Sequence, residues 1–176
     1  MSAADTLLDI LKYLLPGLLM LAIAYIILKK FFDNEERKRF FELRAANQKI
    51  ALPIRLQAYE RLVLLLERIS VNNLLLRVKK SGMSAMDFQT ALMGEIRAEF
   101  EHNLSQQVYV SPEAWEMTVS AKESIVKMIN IAYSQLQSNA NALDLSKAVF
   151  ELAMKQEALP GYKAILYLKK EAEELF

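Results

Sequence analysis

The chain has 176 residues, 53% hydrophobic and 24% charged, with formal net charge +1, four Gly, four Pro and no Cys. That composition disfavours a disordered chain or a charged coiled-coil rod, and the near-neutral charge leaves no electrostatic footprint for nucleic acid. Without cysteine there is no disulfide, thiolate nucleophile or Cys-ligated metal, and so few Gly and Pro argue against strand-and-turn architectures and glycine-rich phosphate loops.

The first element is an apolar run. Tyr13 to Leu28 reads YLLPGLLMLAIAYIIL without a charge, and extension back to Leu7 gives 22 residues interrupted only by Asp9 and Lys12. At about 1.5 Å per residue this covers roughly 33 Å, enough for a hydrocarbon core of about 30 Å. Tyr13 and Tyr25 lie towards its ends, with Phe31 and Phe32 beyond, where interfacial aromatics belong. A cleaved signal peptide fits poorly, because the start is acidic and no small-residue cleavage pattern follows. A buried core helix would carry a polar stripe, and residues 13–28 carry none. Residues 1–32 therefore read as a transmembrane anchor.

Lys12 alone precedes the span, whereas Lys29, Lys30, Arg37, Lys38, Arg39 and Arg44 follow within 16 residues. This bias predicts the N-terminus outside and the C-terminal part cytoplasmic. Lys29, Lys30, Arg37, Lys38 and Arg39 are the expected membrane-surface residues, attracted by anionic headgroups but partly offset by neighbouring acids. Pro16-Gly17 inside the span predicts either a kink or simple tolerance near the helix start.

Residues 33–52 read as a juxtamembrane helix. It opens on Asp33-Asn34-Glu35-Glu36, holds a Glu35–Arg39 pair one turn apart, and places Phe40, Leu43, Asn47 and Ile50 at coiled-coil spacing. Pro53 is expected at the first position of the next helix, whose Leu56, Tyr59, Leu62, Val63, Leu66 and Ile69 form a stripe widened by Leu64 and Leu65. A break follows at residues 70–73, then a short apolar helix with Gly82 as C-terminal cap. Ser84-x-x-Asp87 resembles a capping box ahead of Phe88, Leu92, Ile96, Phe100 and Leu104. Val108 to Val110 reads as a short extended or turn segment. Ser111-Pro112-Glu113 is a strong helix start, and Trp115, Val119, Val126, Ile129, Tyr133 and Leu136 mark the apolar face that follows. A loop at 138–141, a helix around Leu145 to Leu152, a break at Leu159-Pro160-Gly161 and a final helix complete the chain. The expected architecture is all-α: an anchor over 1–32, the juxtamembrane helix over 33–52, and a cytoplasmic bundle over 53–176, with about six helices beyond the anchor.

Chemistry is sparse. His102 is the one histidine, and Glu99-x-x-His102 is half of a di-metal bundle motif whose second half needs another histidine. Glu95, Glu99 and His102 can share a helix face, but a solvated acidic face is the simpler reading. No nucleophile elbow, Walker loop, dinucleotide fingerprint or kinase motif occurs. The expectation is thus no catalytic, cofactor-binding or metal-binding residue, no cofactor, and no enzyme.

Residues 51–69 (ALPIRLQAYERLVLLLERI) and 97–115 (RAEFEHNLSQQVYVSPEAW) resemble the hallmark blocks of a family of uncharacterised bacterial proteins with an N-terminal membrane anchor and a cytoplasmic helical domain. The resemblance implies that architecture in a bacterial inner membrane and marks both blocks as surfaces of interest. It transfers no activity. Tyr59, Arg61, Glu99, His102, Tyr109 and Trp115 are accordingly the expected partner-binding residues. The expected role is a non-enzymatic accessory or scaffold subunit, in contact with the bilayer and with other protein subunits of a membrane complex. The alternatives are a self-associating structural membrane protein, hence a homo-oligomer, and a metal-dependent hydrolase using Glu95, Glu99 and His102.

Overall fold

The structure is a computed structural model that describes residues 3–156 and 158–175, and the side chains of these except 3–11 and 13. The side chains of Asp9 and Tyr13, which entered the readings of the apolar run and its interface, lie outside those described. The chain divides into two compact units, Met1–Ile50 and Ala51–Phe176. Six α-helices and a short 3₁₀ turn account for the regular structure, and no strand occurs among the described residues.

Helix α1 runs from Ala3 to Ile69, 67 residues. The helix starts expected at Asp33 and Pro53 are absent: the segments read as anchor, juxtamembrane helix and first bundle helix fall within one helix. Proline in a helix removes a single donor and crowds one carbonyl. At Pro53 the flanks Gln48–Leu52 and Arg55–Ala58 hold good helix formers, and Lys49, whose carbonyl loses its partner, faces solvent. The helix also continues through Pro16-Gly17, so that pair is tolerated inside α1 and does not end it.

In the first unit, every described side chain from Lys12 to Ile50 is exposed, apart from half-buried Glu35. The expected pair one turn apart is present, with Arg39 Nε 3.8 Å from Glu35 Oε1. The Arg44 guanidinium lies 4.3 Å from the centre of the Phe40 ring.

The second unit has one apolar core. From α1 it takes Ala58, Tyr59, Leu62, Leu65, Leu66 and Ile69. Leu64, expected to widen the buried stripe, is exposed. The end of α1 is closed by side chains: Ser70 Oγ and Asn73 Nδ2 donate to the Glu67 carbonyl at 2.7 and 2.9 Å, so the polar stretch 70–73 stops one helix and starts the next. Helix α2 (Val71–Val78) buries Val71, Leu74, Leu75 and Val78. Gly82 serves the following turn, at φ +80°, while the cap of α2 is Lys79.

Helix α3 (Ala85–His102) starts as expected. Ser84 Oγ accepts from Asp87 N at 3.1 Å, but the same hydroxyl donates to the Asp87 carboxylate at 2.6 Å, so the capping box closes side chain to side chain. Phe88, Leu92 and Ile96 are buried, and Phe100 packs against the core. A 3₁₀ turn over Leu104–Val108 follows α3, and of the two readings of Val108–Val110, extended or turn, the turn is found, with Tyr109 in a turn and Val110 in a bend. Helix α4 (Pro112–Ser134) begins with the expected Ser111 cap and Pro112. Its buried line is Ala114, Thr118, Ala121, Ile125, Met128, Ile129 and Ala132, while Trp115, Val126, Tyr133 and Leu136 are only partly buried at its edge. Small alanines let the helices approach closely, which moves the core line away from the largest residues. Helix α5 (Ala142–Met154) opens on an Asn141–Asp144 capping box, and α6 (Tyr162–Glu173) follows Gly161 at φ +92°. Thus α3 packs against α2, α4 and α5, and α4 also packs against α6.

Candidate functional site

A groove of about 670 Å³ lies between α1 and α3 in the second unit. Helix α1 contributes Gln57, Glu60, Arg61, Leu64 and Arg68, which recur at one-turn spacing beside the buried stripe. Helix α3 contributes Glu95, Ala98, Glu99 and His102, and its cap residue Asn103 closes one end. Three of the six expected contact residues, Arg61, Glu99 and His102, therefore line a single surface. Leu64 is exposed because it forms part of this wall. Only Leu64 and Ala98 are apolar, so the lining is chiefly polar, with charges of both signs.

Two ion pairs hold the groove. Arg68 Nε meets Glu99 Oε2 at 2.7 Å, and Arg77 Nη1 from α2 meets Glu95 Oε2 at 2.6 Å. Arg77 also donates to the Arg68 carbonyl at 3.3 Å, so one guanidinium ties the end of α1 to α3. The Arg68 side chain is 55% exposed against 15% for Glu99, so solvent screening keeps the pair's contribution to stability small. Its effect is geometric: it sets the distance between the two walls. Asn103 is buried, with its amide donating to the Glu99 carbonyl at 2.9 Å. Glu95 and Glu99 thus each meet an arginine, and among the described residues no group of three His, Cys, Asp or Glu side chains is arranged to hold a metal ion.

Tyr59 and Tyr109 belong to a second cluster. Tyr59 is 2% exposed, and its hydroxyl donates to Glu171 Oε1 at 2.7 Å. Ser111 Oγ donates to Glu171 Oε2 at 2.8 Å while capping α4. Arg55 Nε donates to the Tyr109 carbonyl at 3.1 Å and Nη2 to the Tyr59 hydroxyl at 3.5 Å. One carboxylate on α6 therefore fastens α1 and the start of α4. Tyr59 supports the surface from beneath, whereas Tyr109 is exposed on it. Trp115 is half-buried, its ring 5.4 Å from Phe100, and Lys122 Nζ lies 4.4 Å from the other ring of that pair, Phe100.

Burial, together with the adjacent Glu171 carboxylate, pushes the Tyr59 phenol above its ordinary value of 10.0, with Arg55 pulling the other way. The folded chain keeps a proton that the unfolded chain releases near that pH. The resulting stabilisation is intact below pH 10.0 and lost as pH rises through the folded value. Tyr59→Phe is expected to cost about 1.5–3 kcal/mol at neutral pH, the range for hydrogen bonds to charged groups. It should also lessen the loss of stability at alkaline pH; urea unfolding at neutral and alkaline pH, on wild type and variant, measures both.

Lys29, Lys30, Arg37, Lys38 and Arg39, the expected membrane-surface residues, are all exposed on α1. Sequence reasoning missed Arg55, Arg68, Arg77 and Glu171. The spacing Gln57, Arg61, Leu64, Arg68 was a usable sign of a second, polar face on α1. Nothing local marks Glu171 as the partner of Tyr59.

Among the described residues the molecule is all-α, with a groove-bearing helical unit and one helix long and apolar enough to cross a membrane. Its chain belongs to DUF7935, a family of unknown function, whose pattern covers residues 5–175. Comparison with curated proteins and with solved structures gives no match.

Proposed function

We propose that the protein is a single-pass, membrane-anchored accessory or scaffold subunit, without enzymatic activity, that holds a cytoplasmic helical bundle beside a partner at the bilayer. The observation that carries this reading is the exposure of the apolar run. The large apolar side chains from Leu14 to Leu28 are 49–73% exposed, with none turned into a core. Soluble proteins scatter exposed apolar residues singly; an unbroken band on all sides of a helix calls for lipid. The positive residues that follow it favour the N-terminus outside. Confinement to the membrane raises the effective concentration of the bundle at a partner with no added contact.

The groove supports the non-enzymatic part. Its two carboxylates on α3 each meet an arginine, the arrangement of a structural brace, and its mixed charges suit a protein surface better than a reacting small molecule. The Arg61, Glu99 and His102 wall is the surface assigned to the partner.

The chain should stay in the pellet through alkaline carbonate extraction. Because it has no Cys, single cysteines report topology cleanly. Ser2→Cys is expected to react with a membrane-impermeant maleimide in intact cells, and Ser138→Cys only after lysis. Release of the full chain by carbonate would remove the anchor, and the reverse labelling pattern would invert the orientation.

A further inference from the structure

The segment after the apolar run has an exposed apolar face, on which the Arg44 guanidinium lies 4.3 Å from the centre of the Phe40 ring. Phe40, Leu43 and Ile50 are 52–68% exposed, and with Asn47 they follow the three-four spacing of a coiled-coil seam. In that register Arg37 and Arg44 flank the seam on one side and Arg39 on the other, and no acid occupies a flanking position beside Phe40 to Ile50. The acids Glu35 and Glu42 lie on the outer face.

This distribution decides the occupant. In a parallel pair of identical chains, flanking residues of one helix meet those of the other, which sets Arg39 of one copy against Arg44 of the second. Asp33 and Glu36, which continue the seam line towards the N-terminus, would then meet their own counterparts. Like charges oppose that pairing at both ends. A helix with an apolar seam and acidic flanks instead turns Arg37, Arg39 and Arg44 into cross-helix ion pairs. Asn47 inside the seam selects a partner with a polar residue opposite and fixes register.

We infer that the 40–50 face of α1 docks an amphipathic helix of a different protein, one whose apolar seam is bordered by Glu or Asp. This rests on the scaffold reading above and gives its partner a chemistry.

The test uses the full chain in phosphatidylcholine liposomes and two synthetic helical peptides with identical Leu/Ile seams and one seam Asn, one flanked by Glu and the other by Lys. Co-flotation should favour the Glu-flanked peptide by about tenfold or more at low salt, and less at high salt. The triple variant Arg37→Glu, Arg39→Glu, Arg44→Glu should exchange the preference, and Leu43→Asp with Ile50→Asp should abolish binding of both peptides. Equal binding of the two peptides, no binding of either, or a Leu43→Cys disulfide between two copies without peptide would overturn the inference; the last outcome assigns the face to self-association. Flotation of the chain itself reads the anchor separately. A chain that fails to float but binds the Glu-flanked peptide in detergent sinks the anchor and keeps the seam, and a floating chain with no peptide preference does the opposite.

Discussion

Phe88→Ala is expected to lower stability by about 3–5 kcal/mol, the range for a buried Phe whose site cannot collapse around the loss. Phe88 is fully buried in the first half of α3, the helix that packs against α2, α4 and α5. Neighbours on three sides are held by their own helices, so little can move in to fill the space. The Ser84 cap and the short antiparallel bridge between Ser84 and Asn141 fix the start of α3 and further limit relaxation. Met86, two residues away, is 61% exposed, and Met86→Ala should change stability by less than about 0.5 kcal/mol. Urea unfolding of the detergent-solubilised chain, followed by circular dichroism, compares the two. A cost below about 1 kcal/mol for Phe88→Ala would mean that α3 is not the centre of the core.

The contrast between Phe88 and the residues of α4 shows what the sequence makes legible. On α3 the large apolar residues recur every fourth position, and burial follows them: Phe88, Leu92 and Ile96. On α4 the same reading chose Trp115, Val119, Val126, Ile129, Tyr133 and Leu136; Ile129 is buried, but the rest of the innermost line runs through Ala114, Thr118, Ala121, Ile125, Met128 and Ala132. Periodicity weighted by size overlooks alanines, although close helix approach depends on them. Caps were legible where a strong local signal existed, as at Ser84 and Ser111-Pro112. The Asn141-x-x-Asp144 box carried an equally local sign and was passed over as loop.

Pro53 misled for a different reason. Proline at a first helical position is common, but one lost hydrogen bond on a solvated face does not end a helix with strong formers on both sides. The candidate site divides along the same lines. Arg61, Glu99 and His102 were chosen from two separate sequence blocks, and the groove between α1 and α3 brings them together. The arginines that brace them were not foreseen, because an ion pair such as Arg68–Glu99 depends on helix placement and on no sequence period. The same holds for Tyr59 and Glu171, which are 112 positions apart.

Leu18→Arg combined with Leu21→Arg is expected to drive the chain out of the membrane fraction. Both positions lie near the middle of the apolar run Tyr13–Leu28, on one face of α1. Each arginine at a helix centre costs about 2.5–3.5 kcal/mol on insertion, so the pair costs roughly 5–7 kcal/mol. Individual Leu and Ile residues return only about 0.3–0.6 kcal/mol each, so the loss cancels much of the span's favourable balance. Snorkelling gives little relief, because the middle of a roughly 30 Å hydrocarbon core is too deep for either side chain to keep its charge well hydrated. The matched control is Gln48→Arg with Ala45→Arg, the same three-residue spacing on the same helix beyond the run, and it should leave the chain in the pellet. Carbonate extraction and liposome flotation read both pairs. If the central pair floats as wild type does, the apolar run is not held in lipid, and its exposed side chains require a protein partner along their whole length instead.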